Sequence, residues 1–526
     1  MKKILYFLAG WMMLASCFDD KGNYSYGPIN EVSIRGFGNR DTTLSLLYLV
    51  DTLRIAANLE CSMDREVSDE NYTWRWELED KQNFHKKIIA ETRLLEFPMN
   101  VTPGKYELHL RVKDKHTGIV QSVSEPLNVE LTYSKGLLVL GDRENGDVQL
   151  DMVAMIESKN DTIILRDMLK DTDLPPMKHG INVFHTGEND SPGNVRLWIM
   201  SESGSWYLES ATMSGNSSNT FDRLFYTSLD VPADAHPVEC YPRIAMGRES
   251  GTTSGFVRGF RLNDGSFVFC EHLLTELYNN PINRLKNEPK KLLKLFPGCL
   301  YAARYLKAIL VYDLENERFL GSNRPEYSLY LDVLRDMPGD RFPFDQRNLG
   351  RTLVHMENTR NPINADRGRS YALMKNRNDD YFIYCFYITD RVINNMSLKK
   401  GYWRVNKNLA ENIDQAEKFL FSSTSQAFYY LVGSKIYCYS FNAVGSEKCE
   451  VVADFGSDEV TWWDVDLWTE TTFDYIWVAT YNPQTGGTLT KYQESEDHNK
   501  LEWTKTAISW TGFPKIKSVG WRNCSY

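Results

Sequence analysis

Trp462-Trp463-Asp464-Val465-Asp466-Leu467-Trp468 holds the side-chain types in this chain best suited to recognising a ligand. Neighbouring residues of an extended strand point to opposite faces. One of Trp462 and Trp463 therefore faces a core, and the other is left over for contact. An indole face beside Asp464 and Asp466 suits a sugar ring or a peptide side chain: the ring takes apolar surface, the carboxylates take hydroxyls or amides. Packing between sheets would use the same rings, and both uses stay open here. Trp462, Trp463, Asp464, Asp466 and Trp468 are the candidate ligand-binding residues.

Signals for reaction chemistry are few. The sequence has no HExxH, GxSxG, Walker or dinucleotide pattern. Its nine histidines are scattered, with no pair at helical ligand spacing. Ser250 and Ser254 lie among glycines and threonines in a run that reads as a loop. Asp142-Arg143-Glu144-Asn145-Gly146-Asp147 is oxygen-rich like a calcium loop but lacks the acid that would close one. Asn145-Gly146 as a type I′ hairpin turn explains it more simply. No catalytic residue, metal ligand or cofactor is assigned.

Cys17 is the remaining chemical feature. Met1-Lys2-Lys3 is basic, and Ile4 to Met13 is apolar but shorter than the roughly 20 residues that span a bilayer. Leu14-Ala15-Ser16-Cys17 follows. The small Ala15 and Ser16 would let a peptidase reach the backbone, and the Cys17 thiol would accept a lipid. These residues resemble the lipobox of bacterial lipoproteins. The resemblance implies a signal peptide over residues 1–16 and an acylated Cys17 at the new N-terminus. A tether then runs over residues 17–28. Its Asp19, Asp20 and Lys21 resemble the surface-export signal of Bacteroidota lipoproteins, implying an outer-membrane anchor with the protein facing the exterior. One acyl chain holds a protein marginally, whereas two or three make attachment stable.

The body of the chain reads as sheet. Of 526 residues, 13% are aromatic, including 29 Tyr and 13 Trp, a composition that favours strands. A net charge of −10 argues against nucleic acid as a partner, because displacing counterions needs a basic face. The cysteines after Cys17 show no CxxC spacing, and several lie in apolar strands, so mostly free thiols are expected.

From Ile29 to about Leu131 short strands alternate with turns. Tyr72, Trp74, Trp76 and Leu78 fall on one face of a period-2 strand, and Tyr106 to Val112 forms another after the Pro103-Gly104 turn. Tyr72-x-Trp74-x-Trp76, Pro103-Gly104-Lys105-Tyr106 and Val112-x-Asp114 resemble the PKD family of immunoglobulin-like domains. The resemblance implies a sandwich in which the tryptophan strand and the Pro-Gly-x-Tyr strand face each other across the core. Beyond it, apolar hairpins begin near Gly136, Val195, Gly255, Leu300, Tyr381, Phe428 and Tyr475. A propeller blade takes about 40–50 residues. The longer intervals are expected to hold helical insertions, at Leu273–Leu295, Tyr327–Leu334 and Leu409–Leu420. Radial blades also protect sheet edges that an open array would leave bare. The expected fold is all-β: an N-terminal Ig-like (PKD) β-sandwich over residues 29–132, then a seven-bladed β-propeller with short helical insertions over residues 133–526.

The lipobox, the acidic tether, the sandwich, the Lys135–Leu140 opening strand and the closing Gly512–Lys517 segment together resemble the PKD-like lipoproteins of Bacteroidota, which are typically encoded beside TonB-dependent transporters of the starch-utilisation type. The resemblance implies a non-catalytic accessory or binding subunit of a TonB-dependent uptake system for glycans or peptides. Its implied partners are the transporter, the transporter's lid lipoprotein and an oligosaccharide or peptide ligand. Two alternatives remain: a propeller-type glycoside hydrolase or lyase using carboxylates placed anywhere in sequence, and a surface adhesin or structural protein.

Overall fold

Alternation organises the N-terminal unit of the computed structural model, which describes residues 29–523 apart from internal stretches, the longest being 187–194, 244–256 and 361–368. The chain divides into two compact units, residues 1–131 and 132–526. In the first, Tyr72–Asp80 pairs antiparallel with Gly104–Asp114 in a five-stranded sheet, with Trp74 opposite Val112 and Trp76 opposite Leu110. Tyr72, Trp74, Trp76, Leu78, Leu108, Leu110 and Val112 are all buried on one face. The tryptophan strand and the Pro-Gly-x-Tyr strand are therefore neighbours in one sheet, and do not face each other across the core as the family resemblance implied. The opposing wall comes from two small sheets, which supply Val32, Ile34 and Leu59, and Leu53 and Leu95. Asp114 ends its strand by accepting the His116 and Thr117 amides at 2.8 and 3.3 Å.

The second unit contains seven antiparallel sheets among the described residues, each continuous with one of the apolar hairpins. Blades 2 to 7 open with Gly180–His185, Pro237–Tyr241, Leu300–Ala302, Arg351–Asn358, Lys418–Phe421 and Glu459–Val465. Blade 1 is built differently. Lys135–Asp142, Val148–Ile156 and Asp161–Leu165 come from the start of the unit, and its fourth strand, Lys515–Asn523, from the end. Leu137 lies opposite Trp521 and Val139 opposite Val519, with a bulge between Leu140 and Gly141.

The cores show why this ring forms. A period-2 strand with apolar residues at every position has two faces to bury. In Ala427–Val432 of blade 6, Phe428 and Tyr430 pack against Tyr371 and Ile383 of blade 5. Tyr429 and Leu431 pack against Trp463 and Val465 of blade 7. The same arrangement repeats round the ring, one cluster at each junction, down to blades 7 and 1, where Trp477 and Leu489 meet Leu137 and Val139. A closed ring covers every face.

Two local expectations are corrected. No α-helix occurs among the described residues; three short 3-10 turns occur at Phe221–Leu224, Arg347–Leu349 and Ile413–Gln415. The described part of Leu273–Leu295 is irregular, with Pro281 and Pro289 breaking any helical run and Leu285, Leu293 and Leu295 buried against blades 3 and 4. Tyr327–Leu334 contains the two-residue strand Asp332–Val333. In the Asp142–Asp147 turn Gly146 has φ +80° while Asn145 has no positive φ, so it is not type I′; the Gly146 amide closes the turn on the Arg143 carbonyl. The seven cysteines among the described residues are free thiols.

A buried polar cage ties blades 5, 6 and 7. Glu494 accepts hydrogen bonds from the hydroxyls of Thr424, Ser425 and Tyr429 at 2.7, 2.7 and 2.8 Å. Asp474 accepts from the Ser423 amide at 2.6 Å and the Ser422 hydroxyl at 3.1 Å, with Arg360 of blade 5 at 3.8 Å. Burial and the neighbouring Glu494 charge push the Asp474 carboxyl up to about 7, against the Ser423 amide and Arg360. Desolvation and a like charge both favour its protonated form.

Two predictions follow from these contacts. A Cβ at Gly520 in the closing strand would lie 2.7 Å from the Val183 carbonyl oxygen of blade 2. Gly520→Ala should therefore cost about 1–3 kcal/mol, read as a lowered midpoint of the propeller's thermal transition. Asp474 holds its proton in the folded state at pH values where the unfolded carboxyl has lost it, so its contribution to stability falls as pH rises from about 4 to about 7, by at most about 1.4 kcal/mol per pH unit. Asp474→Asn should remove that slope from the pH profile of the unfolding midpoint in urea.

Candidate functional site

The opening strands of blades 2, 3 and 7 and the closing strand of blade 1 surround one cavity of about 280 Å³ on the inner side of the ring. Blade 1 contributes Lys517 to Trp521, blade 2 Ile181 to His185, blade 3 Glu239, Arg261 and Arg243, and blade 7 Trp462, Asp464, Leu467 and Trp468. Trp468 stacks on Trp521, with centroids 6.0 Å apart and planes 18° from parallel. The Ser518 hydroxyl donates to the Asn182 side-chain oxygen at 2.8 Å, forming a polar strip on the same wall.

The five candidate residues divide. Trp462, Asp464 and Trp468 line the cavity. Trp463 does not: strand alternation turns it into the core between blades 6 and 7, beside Trp503. Asp466 does not either. It is buried, pairs with Lys491 at 2.7 Å and accepts the Trp468 amide at 3.1 Å, so it positions the indole. Asp464 forms an ion pair with Arg243, whose own amide is held by the Tyr301 hydroxyl at 3.0 Å. Glu239 pairs with Arg261 at 3.2 Å. Cys17, Asp19, Asp20, Lys21, Ser250 and Ser254 lie outside the described residues.

Sequence reading missed Arg243, Glu239, Arg261, Lys517 and Trp521. Only Trp521 carried a signal, as an aromatic in the final strand. The others are ordinary charged residues at strand ends and edges, made neighbours by the ring.

His185 is buried at the cavity wall, and burial, with the charges of Arg522 and Arg258, holds its imidazole well below the ordinary histidine range. It is therefore a neutral wall at neutral pH. Its Nε2 lies 2.8 Å from the Ser210 hydroxyl, which also accepts from Arg522 at 3.1 Å. Ser210 is buried and does not line the cavity, so this pair is a structural tie. Among the described residues no group of three His, Cys, Asp or Glu side chains could hold a metal ion. The Asp474–Glu494 cage also stands apart from the cavity lining.

No curated protein matches the chain in sequence. Among solved structures, a quinonprotein alcohol dehydrogenase-like protein from Bacteroides thetaiotaomicron is similar at 14% identity, covering 95% of this chain and 100% of its own, with a TM-score of 0.39. The WD40 domain of coronin from Toxoplasma gondii is similar at 9% identity, covering 70% and 82%, with a TM-score of 0.38. PorZ of Porphyromonas gingivalis, a surface component of the type-IX secretion system, aligns at 11% identity over 78% and 58%, with a TM-score of 0.15. Over residues 17–174, the stretch that carries the sandwich and the first three strands of blade 1, the chain matches the PKD-like family.

Proposed function

We propose that this protein is a non-catalytic binding subunit of a nutrient-uptake system, anchored in the outer membrane through an acylated Cys17 and facing the exterior. Its partners on this reading are a TonB-dependent transporter and the transporter's lid lipoprotein, and its ligand is an oligosaccharide or a peptide. The observation that carries the binding role is the inner cavity. Three indoles, Trp462, Trp468 and Trp521, converge there with a small set of oriented polar groups, the composition of a recognition site. The address rests on Leu14-Ala15-Ser16-Cys17 and the acidic tether.

Binding is favoured over hydrolysis by the state of the cavity's carboxylates. A glycosidase needs one acid free to protonate a leaving group and a second free to act as nucleophile or base. Glu239 is paired with Arg261 on its own blade, so even with Asp464 released from Arg243 the cavity lining offers no second free acid.

Affinity purification of the full-length protein from detergent-solubilised outer membranes tests the role. The wild-type protein should carry acyl chains on Cys17, resist washing with salt, and recover a TonB-dependent transporter. Cys17→Ala should leave the membrane fraction and recover none. A wild-type protein that is unmodified at Cys17, or that purifies without any transporter subunit, would contradict the proposal.

A further inference from the structure

The cavity's two arginine–carboxylate pairs differ in kind. Glu239 and Arg261 sit on adjacent strands of one blade. Arg243 and Asp464 come from blades 3 and 7, with blades 1 and 2 between them, so their ion pair bars the cavity from one side of the ring to the other. The two partners are unequally covered: the Arg243 side chain is 36% exposed and that of Asp464 is 11%. The guanidinium is thus the member that an incoming group can reach. The lining holds three cationic side chains, Arg243, Arg261 and Lys517, and two carboxylates, Glu239 and Asp464; Lys517 pairs outside the lining with Asp142 at 3.6 Å. A guanidinium fork prefers a carboxylate above neutral acceptors.

Resting on the reading of this cavity as a ligand site, we propose that it binds a terminal sugar bearing a carboxylate, a uronic acid, whose carboxylate replaces Asp464 on Arg243. Asp464 in the closed pair stands in for the ligand. When displaced, it keeps the hydrogen bond it already accepts from the Val465 amide at 2.8 Å. The size of the cavity limits the occupant to about one ring, since drug-sized sites span roughly 300–1,000 Å³ and this one has about 280 Å³. A pyranose has one apolar face and a rim of hydroxyls. The Trp468 and Trp462 indoles match the face, and Asn182 and Ser518 match the rim. A peptide C-terminus shares the carboxylate but lacks the rim of ring hydroxyls that Asn182 and Ser518 match.

Calorimetric titration of the full-length protein with trigalacturonate, maltotriose and trialanine tests this. Trigalacturonate should bind several-fold more tightly than maltotriose, a smaller margin than a newly gained charge pair would give, because its carboxylate exchanges with Asp464 on Arg243. Arg243→Gln should bring the two sugars to within about twofold of each other. Asp464→Asn should tighten trigalacturonate several-fold by freeing Arg243, a gain that misfolding cannot mimic. Equal binding of both sugars by the wild-type protein, or no loss in Arg243→Gln, would overturn the carboxylate assignment and leave the cavity a neutral-sugar site. Binding of trialanine alone would overturn it in favour of a peptide ligand. No binding of any of the three would overturn both this assignment and the reading of the cavity as a ligand site.

Discussion

The pairing of Lys515–Asn523 with Lys135–Asp142 is the contact on which the C-terminal unit depends. Each blade is a sheet with two apolar faces, so a row of seven would leave one face bare at either end. Joining the last strand of the chain to the first blade removes both ends at once. Leu137 and Val139 then pack towards blade 7, and Leu138 and Leu140 towards blade 2, from a single strand with alternating direction. The apolar area covered on each side is what offsets the entropy of closing a loop of this length, a cost that grows only slowly with the number of residues enclosed.

The same strand builds the cavity. Lys517, Ser518 and Trp521 reach it from the closing strand, while Arg522 turns the other way, fully buried, to hold Ser210 and the Tyr133 carbonyl. Trp468 finds its stacking partner only once Trp521 is in place. Ring closure and site assembly are thus one event. Polar ties hold the rest of the ring in register: Arg360, Asp474, Glu494 and the Ser422–Ser425 hydroxyls join blades 5, 6 and 7 in a buried cage whose desolvation favours the protonated form of Asp474.

What could be read from sequence follows from how local each signal is. Period-2 strands such as Tyr72–Leu78 and apolar hairpins such as Ala427–Tyr439 report their own burial, so the sandwich and the number of blades were legible. Their placement was less so. Trp74 and Val112 are cross-strand neighbours because of pairing register, which no single strand encodes. Leu285, Leu293 and Leu295, expected on a helix, instead pack against blades 3 and 4, since Pro281 and Pro289 forbid the helix and the flanking sheets offer apolar surface. In the Trp462–Trp468 run, alternation separates the two adjacent indoles but could not say which enters the core; Trp463 does, and Trp462 lines the cavity. Arg243 carried no signal, because its meaning lies in Asp464, more than 200 residues on and on the far side of the ring.

A closed ring that assembles an indole-walled cavity for an acidic sugar is tested most directly by hydrogen exchange of the full-length protein with and without trigalacturonate. Residues 182–185, 238–243, 462–468 and 517–521, four segments remote in sequence, should gain protection together while residues 29–131 stay unchanged. Protection confined to residues 29–131, or to one of the four segments alone, would contradict it.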